Sequence, residues 1–228
     1  MTERDSQVHF TLVIHSYKSG PKLATMQRSL ADIRAFFGRF QTPYEVIWLN
    51  PAKAPPQEKP DNSDGFLSLV ELEERGTKTS ALHRAILSAR GEFIIVADEN
   101  LATPLGDLFK VLQTTISEKK WAWGERNFTK LKIEKSKRLQ HDELFAKIIL
   151  EKNRTTSSDF FCETWGFSKS SWLETFPQPP KHNLLSVALS QSIQPEAIMR
   201  VKVTDSGLTP QHYPSMKLWL SRFFFSIK

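Results

Sequence analysis

The segment over residues 70–112 limits the possible folds of this chain more than any other feature. Its sequence, VELEERGTKTSALHRAILSARGEFIIVADENLATPLGDLFKVL, alternates hydrophobic runs with amphipathic stretches. The pattern predicts the end of a strand, a glycine turn, a helix over 78–90, a buried strand over 92–97, an acidic turn and a helix over 104–117. Two strands joined through a helix are typical of a parallel sheet. The acidic turn, Asp98-Glu99-Asn100, follows the buried strand directly, at the sheet edge where such folds hold ligands.

The flanking sequence continues this alternation. Further strands are predicted for short runs rich in β-branched and aromatic residues: 8–14, 44–49, 66–72, 121–124, part of 160–167, and 197–203. Further helices are predicted over 22–40, 135–152, 168–175 and 184–193. For the helix over 104–117, Thr103 is the expected N-cap and Pro104 the expected first residue. We therefore expect an α/β fold with a mostly parallel sheet, helices on both faces and a C-terminal helical extension.

The composition fits a soluble globular protein. The chain has 228 residues, of which 39% are hydrophobic and 25% charged, enough for one large domain with a core. It contains no apolar run long enough to span a bilayer, and residues 1–7 lack the apolar core of a signal peptide. We therefore expect a cytoplasmic protein. The single cysteine, Cys162, excludes an internal disulfide and is expected to be a buried, small hydrophobic residue.

The net charge of +6 is concentrated in one stripe of the sequence. Residues 119–138 contain eight Lys or Arg and two Glu. A basic stripe implies an anionic partner, namely phosphate, nucleic acid or acidic lipid, or else it is a solvated helix face. Both interpretations remain open at this stage.

The C-terminal segment over residues 216–228 differs from the sequence before it. It reads MKLWLSRFFFSIK and mixes aromatic with basic residues. A segment of this kind lies in a membrane interface, or it packs on the core or on a second subunit. We therefore divide the chain into a domain over 1–215 and this segment. Membrane contact would place the protein peripherally on the inner face of the membrane.

Several motifs give the chain a resemblance to a known family. They are ERGTK at 74–78, ARGEF at 89–93, DENLATP at 98–104, GER at 124–126 and WGF at 165–167. In their order and spacing, the chain resembles the family 2 glycosyltransferases, and among these the dolichyl- or polyprenyl-phosphate sugar transferases. The resemblance implies a GT-A-type fold and the transfer of a sugar from a nucleotide-diphosphate sugar, with a lipid phosphate as the acceptor.

The resemblance also implies roles for individual residues. Asp98 and Asn100 would hold Mg²⁺ or Mn²⁺, and Asp98 and Arg126 would act at the reacting phosphates. The nucleotide would be held by residues at or after the strand ends: Ser16, Tyr17, Asn50, Arg75, Gly76, Lys78 and Glu99. A divalent cation in such a site neutralises the departing diphosphate, and basic side chains add charge-assisted hydrogen bonds to phosphate oxygens.

The chain departs from the family pattern at several of these positions. The second metal carboxylate is Asn100, the carboxylate that contacts the base falls at Asn50 or Pro51, and the proline of the first-strand turn is His15. An amide oxygen brings no negative charge, so affinity for a cation should fall. Later carboxylates near the acceptor fall around Ser186 and Ala188.

These departures support different hypotheses about function. A lipid phosphate is already an anion and needs no general base, so an active transferase can do without carboxylates near the acceptor. The second hypothesis is a protein of the same fold that has lost turnover, requires no metal, and binds a nucleotide, sugar or protein. The third is a nucleic-acid-binding protein, which would use the basic stripe together with Trp121, Trp123 and Phe128.

Overall fold

The computed structural model describes residues 9–15, 23–50, 67–71, 78–126, 162–180, 188–189 and 192–204. The strands in these ranges are β1 Phe10–His15, β2 Tyr44–Asn50, β3 Leu67–Glu71, β4 Phe93–Asp98, β5 Trp121–Arg126, β6 Trp165–Ser168 and β7 Ile198–Val203. The helices are α1 Leu23–Phe37, α2 Lys78–Ser88, α3 Leu105–Glu118 and α4 Lys169–Thr175. Short 3₁₀ turns follow α1 at Gly38–Phe40 and precede β7 at Pro195–Ala197.

The strands form one seven-stranded sheet in the order β3-β2-β1-β4-β6-β5-β7. Its pairs are parallel except where β6 runs antiparallel to both β4 and β5. Val96 of β4 is paired with Trp165 of β6, so the residues just before β6 lie beside the carboxyl end of β4. The α/β class and the mostly parallel sheet are confirmed.

Helices cover both faces of the sheet. On one face, Phe37 of α1 and Phe109 of α3 have ring centroids 6.4 Å apart. On the other, the indole N–H of Trp172 in α4 donates to Nδ1 of His83 in α2 at 3.0 Å. Neighbouring residues of β6 distinguish the two faces, since a Cβ on Gly166 would meet α3 whereas Phe167 stacks on Trp172.

The core lies along β1 and β4, whose residues are all buried. It extends into β5 and β6, where Trp123 and Trp165 stack with ring centroids 4.3 Å apart. Trp121 and Trp123 are both buried in this core, so neither ring is exposed for stacking on a base, and the nucleic-acid hypothesis loses that support. Cys162 is a buried free cysteine, as expected.

The expected cap of α3 is wrong. The helix begins at Leu105 with Pro104 as N-cap, and no side chain caps it. The Thr103 hydroxyl lies 2.7 Å from that of Thr164 instead, so a tertiary contact replaces the local one. The helix expected over 22–40 is α-helical only to Phe37 and ends in the 3₁₀ turn.

Some expected elements fall outside the described residues. They are the helix over 135–152, most of the helix over 184–193, and the segment 216–228. Within the described ranges, no helix combines the length and apolarity needed to cross a bilayer.

A buried carboxylate near the amino end of the sheet should make stability depend on pH. Glu45 accepts hydrogen bonds from the Thr11 hydroxyl at 2.7 Å and from Nε and the backbone N–H of Arg90 at 2.8 and 2.5 Å. Burial raises the pKa of Glu45, but the hydrogen bonds from Arg90 and Thr11 outweigh burial and hold that pKa below its ordinary value. A depressed pKa stabilises the fold above the pKa of the unfolded chain, and this stabilisation is lost as pH falls through the folded-state pKa.

We therefore expect Glu45→Gln to lower the free energy of unfolding by about 2 kcal/mol at pH 7. The difference from the unsubstituted chain should shrink as pH falls through the depressed pKa of Glu45, where the carboxylate itself becomes protonated. Urea unfolding of both proteins across this pH range measures the effect. A difference that stays constant with pH would show that the charge of Glu45 contributes nothing.

Candidate functional site

The carboxyl ends of β1 and β4 meet at one edge of the sheet. His15 ends β1 and is paired with Asp98, which ends β4. The backbone N–H of Glu99 continues this pairing and donates to the His15 carbonyl at 3.0 Å. The acidic turn therefore begins at the edge where α/β sheets bind ligands.

The side chain of Asp98 is engaged by its own turn. Its carboxylate accepts the backbone N–H of Asn100 at 3.0 Å and that of Ala102 at 3.1 Å. Leu101 within the turn has a φ of 49°, a left-handed conformation that costs energy in a residue other than glycine. Asp98 is 6% exposed, and this burial raises its pKa to about 6 despite the hydrogen bonds from Ala102 and Asn100. The Asp98 carboxylate thus stabilises a turn that contains a strained backbone conformation at Leu101.

Three further polar side chains complete what we call the edge cluster: His15, Lys78, Asp98 and Glu163. Lys78 Nζ lies 2.6 Å from Glu163 Oε1, and His15 Nε2 lies 3.0 Å from Glu163 Oε2. Asp98 belongs to the same group because it is paired with His15 across β1 and β4, and its pKa is raised by Glu163 and lowered by Lys78. Lys78 and Glu163 are 32% and 29% exposed, so both are accessible from solvent.

His15 contributes to the edge cluster as a neutral group. Burial lowers the pKa of His15 to about 3, and Glu163 only partly opposes this effect. At physiological pH the imidazole is therefore uncharged, and its Nε2 lies 3.0 Å from Glu163 Oε2. The charges of the cluster are those of Lys78, Glu163 and Asp98.

Sequence reasoning missed two residues of this cluster: Glu163, and His15, which it noted only as a departure from the family pattern. The sequence pattern indicates ligand residues where strands end, but Glu163 precedes the short strand β6. Because β6 runs antiparallel to β4, its amino end lies at the same edge as the carboxyl ends of the parallel strands. The position just before the WGF motif at 165–167 is the sequence signal that points to Glu163, once the direction of that strand is known.

The other expected site residues have varied positions. Arg126 is buried at the carboxyl end of β5. Glu99 is buried, and its carbonyl accepts the Ser29 hydroxyl at 3.3 Å. Asn50 ends β2, which places its backbone at the same edge. The remaining expected residues lie outside the described part of the chain: Ser16, Tyr17, Arg75 and Gly76.

Asn100 lines a separate cleft between α1 and the start of α3. The cleft has a volume of about 1030 Å³, and the charged residues that line it, among those the structure describes, are Arg28, Asp32 and Arg39. None of the edge cluster lines this cleft. Asn100 and Asp98, although two residues apart, therefore contribute to different surfaces.

The described side chains do not fit a Mg²⁺ or Mn²⁺ site. Such a cation needs several oxygen ligands that converge on one point. Asp98 is engaged by backbone N–H groups, Glu163 by Lys78 and His15, and Asn100 lines another cleft. Over the ranges that the structure describes, no group of three or more His, Cys, Asp or Glu side chains is arranged to hold a metal. The expected pairing of Asp98 with Asn100 as metal ligands therefore finds no support in this geometry.

The strand order and the polar edge define an α/β protein with a GT-A-type fold. This confirms the fold class expected from the sequence. No protein-family model and no curated protein matches the chain, so the similarity found is to solved structures alone.

Three solved structures illustrate the similarity. Glucosyl-3-phosphoglycerate synthase from Mycobacterium tuberculosis, in complex with Mn²⁺, UDP and glucosyl-3-phosphoglycerate, matches with a TM-score of 0.61 at 13% identity, over 94% of this chain and 76% of that one. A mannosyltransferase from Pyrobaculum calidifontis, in complex with GDP-Man and Mn²⁺, has a TM-score of 0.57 at 14% identity, over 94% of this chain and 60% of that one. CMP:2-keto-3-deoxy-manno-octonic acid synthetase with CTP has a TM-score of 0.53 at 12% identity, over 96% and 98% of the two chains. At such identities the similarity establishes the fold alone, and the function has to be inferred from the residues of the site.

Proposed function

We propose that this chain binds a nucleotide-diphosphate sugar at the edge cluster and transfers the sugar to a lipid-phosphate acceptor, as a family 2-like glycosyltransferase. The observation that supports this most is the position of the cluster. Lys78, Glu163 and Asp98 meet at the carboxyl edge of the sheet, in a fold shared with proteins whose structures contain UDP or GDP-Man. A basic side chain at this edge suits the phosphates of such a donor.

The state of the carboxylates favours an acceptor that is already an anion. Asp98 is engaged by backbone N–H groups and Glu163 by Lys78 and His15, so neither is well placed to remove a proton from a sugar hydroxyl. Ala188, near which the resembled family has an acceptor-side carboxylate, is a buried apolar residue. A lipid phosphate needs no such base. The aromatic and basic segment 216–228 would bring the protein to a membrane that carries this acceptor.

The second candidate is a protein that binds the nucleotide sugar without turning it over. The amide at Asn100 and the engaged carboxylates favour this alternative, because a transferase must also stabilise the charge that develops on the leaving diphosphate. Both candidates require donor binding, and they differ in whether product forms.

Thermal unfolding in the presence of UDP-glucose, GDP-mannose, UDP and GDP tests donor binding. We expect either the uridine nucleotides (UDP-glucose and UDP) or the guanosine nucleotides (GDP-mannose and GDP) to raise Tm by about 3–5 °C at tenfold over their Kd. A ligand that binds only the folded state stabilises it by RT ln(1 + [L]/Kd). Uridine and guanosine, which lack the diphosphate, are the matched controls and should give smaller shifts. No shift with any nucleotide at millimolar concentration would contradict both candidates.

Turnover then separates the two candidates. The stabilising donor is incubated with a polyprenyl phosphate in detergent, and lipid products are measured by mass spectrometry. Formation of a glycosylated polyprenyl phosphate supports the transferase. Donor binding with no product over many hours supports the second candidate.

A further inference from the structure

The edge cluster contains a fixed positive charge, the Lys78 ammonium, in the same group as Asp98, to which the resemblance assigns a metal. Lys78 is the first residue of α2, and its ammonium group is held 2.6 Å from Glu163 Oε1. The second oxygen of this carboxylate, Oε2, lies 3.0 Å from Nε2 of the buried His15. The ammonium is therefore oriented by protein groups and still one-third exposed to solvent. A preoriented charge loses little entropy when an anion binds to it.

The carboxylates of the cluster are arranged differently. Asp98 is buried, and the backbone N–H groups of Asn100 and Ala102 offset its charge locally. Both oxygens of Asp98 accept backbone N–H groups, and each oxygen of Glu163 lies within 3.0 Å of a side-chain nitrogen, Lys78 Nζ or His15 Nε2. A diphosphate that approaches this edge therefore meets an accessible ammonium rather than a set of metal ligands.

We infer that the site holds the diphosphate of its nucleotide ligand without a divalent cation, with the Lys78 ammonium as the phosphate contact and Glu163 as the residue that positions it. The inference rests on the proposed function and narrows it. Phosphate oxygens accept charge-assisted hydrogen bonds from an ammonium group, and Glu163 keeps that group at the edge through the ion pair. Lys78 thus replaces part of the charge that a metal supplies in other sites.

Calorimetric titration of the full chain with UDP and with GDP tests the inference. Each nucleotide is titrated once in EDTA and once with MnCl₂. We expect the Kd of the preferred nucleotide to agree within twofold between the two buffers. Lys78→Ala should weaken binding at least tenfold in both buffers, and Lys78→Arg should recover part of the loss because it keeps the charge.

Lys110→Ala is the matched control for removal of a paired lysine. Lys110 Nζ forms an ion pair with Asp107 Oδ1 at 2.5 Å, on α3 and outside the edge cluster. Its replacement removes one positive charge and one ion pair, as Lys78→Ala does, and should leave the Kd unchanged. The comparison separates a local contact from a general effect of charge.

The role of Glu163 is tested by non-additivity. Glu163→Gln alone should weaken nucleotide binding, because Lys78 is no longer held by an opposite charge. In the Lys78→Ala background the same change should have no further effect on the Kd. Equal effects in both backgrounds would show that Glu163 acts on the fold rather than through Lys78.

Two results would overturn the inference and leave the proposed function in place. They are binding that is at least tenfold tighter with Mn²⁺ than in EDTA, and unchanged affinity in Lys78→Ala. Absence of binding by UDP and GDP in both buffers would refute the inference together with the proposed function.

Discussion

Replacing Gly91 by alanine is expected to lower the free energy of unfolding by about 3 kcal/mol, because the added methyl group overlaps an interior strand of the sheet. A Cβ at this position would lie 2.5 Å from the Phe10 carbonyl carbon and 2.6 Å from the Thr11 nitrogen. Both atoms belong to the backbone of β1, which is paired on both sides by β2 and β4. The strand can move away only by disturbing two ladders of hydrogen bonds.

Gly106→Ala is the control for this substitution. Gly106 lies in α3, and a Cβ there would meet nothing within 4 Å. Alanine is the better helix former by roughly 0.5–1 kcal/mol, so this variant should be as stable as the original chain or slightly more stable. Urea unfolding of the two variants beside the original chain gives the comparison. Equal stability of all three proteins would contradict the close approach of Gly91 to β1.

Asp98→Ala is expected to weaken nucleotide binding more than tenfold and to destabilise the fold by about 2 kcal/mol. The substitution leaves the buried N–H of Ala102 and the N–H of Asn100 without the carboxylate that accepts them. The turn also contains Leu101 in a left-handed conformation, which persists only when its surroundings hold it. Release of the turn would disturb the edge beside His15, Lys78 and Glu163.

Asp98→Asn separates the shape of this turn from its charge. The amide oxygen still accepts a backbone N–H, so the turn should largely persist, whereas the negative charge is lost. We expect a smaller loss of affinity than for Asp98→Ala, as measured by calorimetric titration with UDP and GDP. Equal losses in the two variants would show that the charge of Asp98 itself contacts the ligand or a cation.

The fold follows from local patterns in this sequence more closely than the site does. The hydrophobic runs at β1 and β4 predict both strands to within two residues, because burial on both faces produces an uninterrupted apolar run. Thr103 shows where local preference fails. Its hydroxyl suits a helix cap, but the fold places it against Thr164, 61 residues away in the sequence. Such a contact depends on which strands become neighbours, and capping statistics carry no information about that.

The site shows the same limit. Asp98 lies at a strand end and Lys78 at a helix start that the sequence pattern predicts, so the sequence alone indicates both as site residues. It does not indicate Glu163, because the position of that residue depends on the direction of β6, a strand of four residues. The sequence alone does not explain the ARGEF motif at 89–93 either, because glycine is required at position 91 by the nearby backbone of β1.

The central claim, that the edge cluster receives the nucleotide, is tested most directly by a crystal structure of the chain with the nucleotide that stabilises it. The account predicts the diphosphate within hydrogen-bonding distance of Lys78 Nζ, beside Glu163 and the turn at Asp98. A diphosphate in the cleft lined by Arg28 and Arg39, or anywhere else away from Lys78, would contradict it.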